Sequence, residues 1–184
     1  MRRIVLAALL APPAFILFLL VHEGGHTLVA RLLGDAQATF YLIRFSATGN
    51  IRCIGCNITD YALFSPWESV LVSLGGLLAT QAMALAGLGL LLWACPTGAG
   101  RRALAALAGG YVMLDVPVQV VQALRYPLEG QIWPTNVDLL DVLLRLQAFT
   151  GWSESALKAL LLGAGALYLL AFFALYRKAL RLTG

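Results

Sequence analysis

Residues 15–33 read Phe15-Ile16-Leu17-Phe18-Leu19-Leu20-Val21-His22-Glu23-Gly24-Gly25-His26-Thr27-Leu28-Val29-Ala30-Arg31-Leu32-Leu33. They continue an apolar run that begins at Ile4. Two properties of this stretch decide the reading of the whole chain. Its length and apolarity suit a helix that crosses a bilayer, which takes about 20 residues. It also carries His22-Glu23-Gly24-Gly25-His26, an H-E-x-x-H string. On a helix, positions i and i+4 share a face, so both imidazoles can reach one ion. Glu23 projects off that face, where it can act on a water beside the metal. The chain has only two histidines and both are used here. Ionisable groups are costly in lipid, so three together point to function. A chance string, or a polar patch at a membrane surface, explains them less well.

Composition carries this reading outward. The chain has 184 residues, 60% hydrophobic and 12% charged, with a mean hydropathy of +0.83. Soluble domains carry about 25% charged residues. The expected fold is an all-α polytopic membrane protein forming a single domain over residues 1–184. It has about four transmembrane helices and a small β-hairpin insert after the first. The net charge of +4 acts as a topology signal. No basic patch interleaved with aromatics is present, which excludes nucleic acid as a partner and leaves the lipid bilayer. Three cysteines do not build a disulfide framework. Met1-Arg2-Arg3 and the following apolar run could pass for a signal peptide. No small-x-small site follows it, so it reads as a retained span.

The first span runs from Ile4 to Leu33, bent at Pro12 and Pro13 and ended by Gly34. Thr39–Phe45 and Asn50–Ile54, separated by Thr48-Gly49-Asn50, read as a surface hairpin. Ser65-Pro66-Trp67-Glu68 has the form of a helix start, with Ser65 as N-cap and Glu68 completing a capping box. The second span, Val70–Cys95, contains Gly75, Gly76 and Ala79, which permit close helix approach. Pro96-Thr97-Gly98 closes it. The third runs from Ala103 to Leu124. After a polar segment with Pro127, Gly130 and Pro134 comes an amphipathic helix, Val137–Phe149, ended by Thr150-Gly151. Ser153 caps the last span, Ala156–Tyr176. Arg2-Arg3, Arg101-Arg102 and Arg177-Lys178-Arg181 fall on one side of this arrangement, which places both termini in the cytoplasm. Arg31, Arg44 and Arg52 fall on the other side.

A hydrolytic Zn2+ site takes three protein ligands and an open position. With no third histidine, two acids compete. Asp115 lies in the middle of the third span, with Gln119 and Gln122 on its face. Its plain reading is an inter-helix hydrogen bond. Asp138 opens the amphipathic helix, where its plain reading is a cap. Depth favours Asp138. Measured from the cytoplasmic ends of their spans, His22 stands about 27 Å up, His26 about 33 Å and Asp115 only about 20 Å. Asp141, one turn on, is a weaker candidate. Cys53 and Cys56 form C-x-x-C, which fits an outer-side disulfide, half a metal site or two idle thiols. Cys95 reads as a small buried hydrophobe.

Residues Val21-His22-Glu23-Gly24-Gly25-His26-Thr27-Leu28-Val29-Ala30-Arg31-Leu32-Leu33-Gly34 resemble the site-2-protease superfamily of intramembrane zinc metalloproteases. The β-rich insert and the Gly75-Gly76 span look like that family too, so the resemblance covers about residues 15–90. The family's Leu-Asp-Gly ligand motif is absent. Leu114-Asp115-Val116 keeps two of its three residues. Pro134 to Asp138, with the helix ending at Thr150-Gly151, looks instead like its short compact branch. The resemblance implies a zinc endopeptidase that cuts a membrane-spanning or membrane-proximal protein substrate. His22 and His26 would be ligands, with Asp138 or Asp115 as the third and Glu23 as general base. The rival functions are an inactive, protease-like assembly factor and a divalent-metal carrier, the latter lacking the expected repeats.

Overall fold

The computed structural model describes residues 2–93, 98–131, 135 and 137–182. Its elements are α1 (Arg2–Leu32), β1 (Thr39–Phe45), β2 (Ile51–Ile58), a 3-10 turn (Tyr61–Leu63), α2 (Pro66–Trp93), α3 (Gly98–Arg125), α4 (Asp138–Thr150) and α5 (Glu154–Leu182). Helix dominates, with one two-stranded antiparallel sheet. Among the described residues three helical stretches are long and apolar enough to cross a membrane: Pro12–Leu32, Pro66–Trp93 and Glu154–Arg181. The chain is therefore a membrane protein. The further span expected at Ala103–Leu124 folds as α3, which is not among those three. Met1, Cys95, Pro96, Thr97, Pro134 and Asn136, all covered by the sequence reading, lie outside the described residues.

The chain forms two compact units, residues 1–79 and 80–184, and the division falls within α2. In the first, α1 runs unbroken through Pro12 and Pro13. It stops where Gly34 takes φ +115°, and the Asp35 amide bonds back to the Ala30 carbonyl at 3.0 Å. The hairpin follows as expected, though β2 is longer than expected, reaching Ile58. Its tip closes through Ser46 and Asn50 (2.8 Å), with Gly49 at φ +83°. The register holds from Thr39 opposite Ile58 to Arg44 opposite Cys53, then slips by one at Phe45. Asp35 ties the hairpin's two ends together, accepting from the Gln37 and Asp60 amides at 3.0 and 2.9 Å. A small core of Ala30, Ala38 and Val72, with Val29, Leu33, Tyr61 and Phe64, fills the space beneath. The capping box at the start of α2 is formed: the Ser65 amide donates to Glu68, and the Glu68 amide to the Ser65 hydroxyl.

In the second unit α3, α4 and α5 pack together. The α3–α5 contact uses Gly165, where an added methyl would stand 3.3 Å from Val120. The Tyr176 hydroxyl donates to the Ala105 carbonyl at 2.9 Å. The ammonium of Lys158 binds the Leu124 and Tyr126 carbonyls at the end of α3, where the helix dipole favours a cation. α4 ends as the sequence indicates, with Gly151 in the left-handed region at φ +68°. The Ala156 amide donates to the Ser153 hydroxyl at the start of α5.

Candidate metal centre

Glycine sets where the two histidines stand. A methyl on Gly25 would fall on the Gly75 carbonyl oxygen and 2.6 Å from the Ala79 methyl. One on Gly75 would stand 2.9 Å from the His26 Cα. The α1 and α2 backbones therefore meet at Gly25 and Gly75, the close approach that small residues permit. Gly24, by contrast, faces open space. The crossing presses the His22–His26 face of α1 against α2, and both rings are buried.

His26 Nδ1 lies 2.7 Å from the Val72 carbonyl oxygen. A carbonyl only accepts, so Nδ1 carries the proton and Nε2 presents a lone pair. The Gly76 amide, 3.3 Å from the same Nδ1, is then a secondary contact. The Nε2 atoms of His26 and His22 converge to 3.4 Å. Two lone pairs so placed repel unless a cation or proton lies between them. A tetrahedral zinc with Zn–N bonds of about 2.05 Å holds two nitrogens about 3.3 Å apart. Gly76 provides the room: a methyl there would stand 2.5 Å from His26 Nε2 and 2.6 Å from His22 Nε2. Orientation, donor chemistry and space thus fit a metal ion at this pair. The carbonyl bond at Nδ1 is the usual partner of a metal-binding imidazole.

Glu23, half-buried, faces the hairpin instead. A methyl on Gly55 of β2 would stand 3.4 Å from its Oε1 and 3.1 Å from Leu19. The hairpin is fastened there by Asn57 Nδ2, which donates to the Thr27 hydroxyl at 2.6 Å. Thr59 in turn donates to Asn57. Two hydroxyls on α2, Ser69 and Ser73, are buried without a hydrogen-bond partner. Ser73 is three residues before Gly76, on the same side of the helix. The other carboxylates of this unit have structural work: Asp35 in the hairpin base, Asp60 on the Ala62 amide and Glu68 in the capping box. Cys53 and Cys56 are joined in a disulfide, the first of the three readings open for C-x-x-C.

The two candidate third ligands belong to the second unit. Asp115 is buried on α3 and accepts from the Thr80 hydroxyl of α2. Gln81 donates to Thr80 at 3.2 Å, and the Tyr168 hydroxyl of α5 donates to Gln81 at 2.8 Å. This is the inter-helix bonding that was the plain reading of Asp115. Asp138 is half-buried and opens α4, one residue past the N-cap position held by Val137. Its Oδ2 accepts from Gln119 Nε2 at 2.9 Å. Gln119, placed by sequence on the face of Asp115, thus serves Asp138. Asp141 is buried and accepts from the Thr135 amide at 2.6 Å. Burial pushes its carboxyl up to about 6, against the lowering effect of the Thr135 bonds, with the nearby charge of Asp138 adding to the rise.

Sequence reasoning missed the Val72 carbonyl and the space at Gly76. The only signal for either was the Gly75-Gly76 pair. No protein-family model, no curated protein and no solved structure matches this chain.

Proposed function

We propose that the chain is a zinc-dependent intramembrane endopeptidase of the site-2-protease type. Its substrate is a membrane-spanning or membrane-proximal peptide, unwound where it is cut because a helix hides its carbonyls. The observation that carries this reading is the His22–His26 pair, with Nε2 atoms 3.4 Å apart in a space kept open by Gly76. We assign the third ligand to Asp138. The remaining carboxylates of the first unit are held by backbone amides, and Asp115 is engaged with Thr80. One oxygen of Asp138 is oriented by a side-chain amide, as ligand carboxylates commonly are.

A zinc ion, when bound, supplies Lewis acidity that brings the pKa of water to about 7. The Val72 carbonyl holds the His26 ring in the tautomer that offers Nε2 to the ion. Glu23 takes the proton from the attacking water and returns it to the leaving amine.

The test joins metal content with cleavage. Purified protein should carry about one zinc per chain, measured by mass spectrometry of the metal. His26→Ala should lose it, and Asp138→Ala should weaken it more than Asp115→Ala does. Glu23→Gln should keep zinc while losing about 10²- to 10⁴-fold in cleavage of a transmembrane-peptide library in proteoliposomes. Full zinc in His26→Ala would sink the site. Wild-type cleavage by Glu23→Gln would remove Glu23 as the general base, and none by either protein would favour an assembly factor over a protease.

A further inference from the structure

The disulfide sits where it can act on Glu23. In a regular strand residues i and i+3 lie about 10 Å apart and face opposite sides of the sheet. Cys53 and Cys56 have Cα atoms 6.2 Å apart and their sulfurs are bonded. The chain between them is therefore contracted while both cysteines keep their places in the register, and Gly55 takes φ +60° within it, a conformation glycine adopts freely. The same Gly55 is the residue packed against Glu23 and Leu19. The bond that shortens the strand is thus also the bond that holds Gly55 against the carboxylate.

The surroundings suit exchange with a thiol. Arg44 stands directly opposite Cys53 in the register, and Arg52 precedes it. The guanidinium of Arg44 lies over the ring of Tyr41, 5.5 Å from its centroid, and Tyr41 is the residue opposite Cys56; a fixed positive charge beside the cross-linked pair favours a thiolate there. Both cysteines are partly accessible, and Ile54 between them is exposed.

We propose that Cys53–Cys56 is a site of reversible reduction by a dithiol, whose state sets the position of the hairpin against Glu23. A thiolate of the dithiol attacks the Cys56 sulfur. The Cys53–Cys56 bond breaks, and Cys53 leaves as the thiolate that Arg44 stabilises. The second sulfur of the dithiol then attacks the mixed disulfide and releases Cys56. Two electrons and two protons pass to the protein, and the dithiol departs as a disulfide. Reduced, the strand lengthens toward its regular span and Gly55 moves off Glu23. The rest of the hairpin stays fastened through Asn57–Thr27 and Asp35–Asp60.

That reduction controls cleavage rests on the protease reading; the movement at Glu23 does not. The test therefore reads Glu23 directly. Full-length protein in detergent is poised with reduced or oxidised dithiothreitol. Its carboxylates are then labelled with a water-soluble carbodiimide and glycine ethyl ester and mapped by mass spectrometry. Reduction should raise labelling of Glu23 severalfold and leave Asp60 unchanged. A Cys53→Ser, Cys56→Ser double variant should show the high level in both buffers. Arg44→Gln should slow the reduction. Equal labelling in the two buffers, or thiols that stay free in oxidised dithiothreitol, overturns the proposal. Cleavage is followed in parallel. None in either state, with the labelling change intact, removes the protease reading alone. Cleavage in both states with unchanged labelling removes this one alone.

Discussion

At the scale of single residues, glycine does more for the site than its size suggests. Gly25 and Gly75 let two backbones touch, and Gly76 leaves the hole at the two Nε2 atoms. Gly24 does neither. The H-E-x-x-H string shows the imidazoles in the sequence because their relation is local, set by the pitch of one helix. The role of Gly76 is not legible there. It depends on which residue of a second helix arrives opposite, and small-residue content signals only that some approach occurs. Gly76 and Gly24 therefore separate cleanly by experiment. Gly76→Ala should displace both rings and weaken zinc on the order of 10- to 100-fold, the range seen when groups that orient ligands are disturbed. Gly24→Ala should keep zinc and stabilise α1 by about 1 kcal/mol. Zinc titration and thermal melts of the two proteins decide it, and wild-type affinity in Gly76→Ala would mean that the nitrogens do not bind metal in the space this residue leaves.

At the scale of elements, the parts closed by local chemistry were the ones sequence could read. The Ser65–Glu68 capping box, the Gly49 hairpin tip, the Gly151 stop and the Ser153 cap each rest on residues within four positions. The C-x-x-C pair stayed open because a regular strand would part its side chains. The start of α4 was read differently from what forms. Its N-cap is Val137, which has no side-chain bond to give; the Val137 amide donates to the Thr135 hydroxyl, the Thr135 amide to Asp141, and the Leu139 amide in the first turn to Gln119 of α3. Asp141 thereby becomes a buried carboxyl raised to about 6. The unfolded chain releases this proton near pH 4. Between about pH 4 and about pH 6 the folded protein thus binds more protons, and its stability falls as pH rises through that window. Asp141→Asn keeps an acceptor for Thr135 and has no proton to lose. The melting temperature of Asp141→Asn minus that of wild type should climb from pH 4 to about 6 and level off above. A difference that is flat or falls across the window would show that Asp141 ionises freely in the folded protein.

For the whole molecule, the number of crossings turns on α3. The stretches Pro12–Leu32, Pro66–Trp93 and Glu154–Arg181 qualify by length and apolarity. An odd count would put the two termini on opposite sides. α3 has 28 residues, about 42 Å of helix against a hydrocarbon core of about 30 Å. Its polar residues Asp115 and Gln119 both have partners inside the second unit, which is what tolerates such groups in lipid. α4, with 13 residues, is about 20 Å long and too short to cross. Four crossings place Arg2-Arg3, Arg101-Arg102 and Arg177-Lys178-Arg181 on one side, as the positive-inside rule favours. The prediction is that α3 crosses and both termini are cytoplasmic. Single cysteines added at the two termini, at Gly100 and at Gly130, in a background lacking Cys53, Cys56 and Cys95, can be probed with a membrane-impermeant maleimide on sealed right-side-out vesicles. Gly130→Cys should react at once, and the other three only after the membrane is opened. If the termini react differently from one another, α3 does not cross. Asp115 then lies outside the bilayer, and the depth argument separating it from Asp138 loses its ruler.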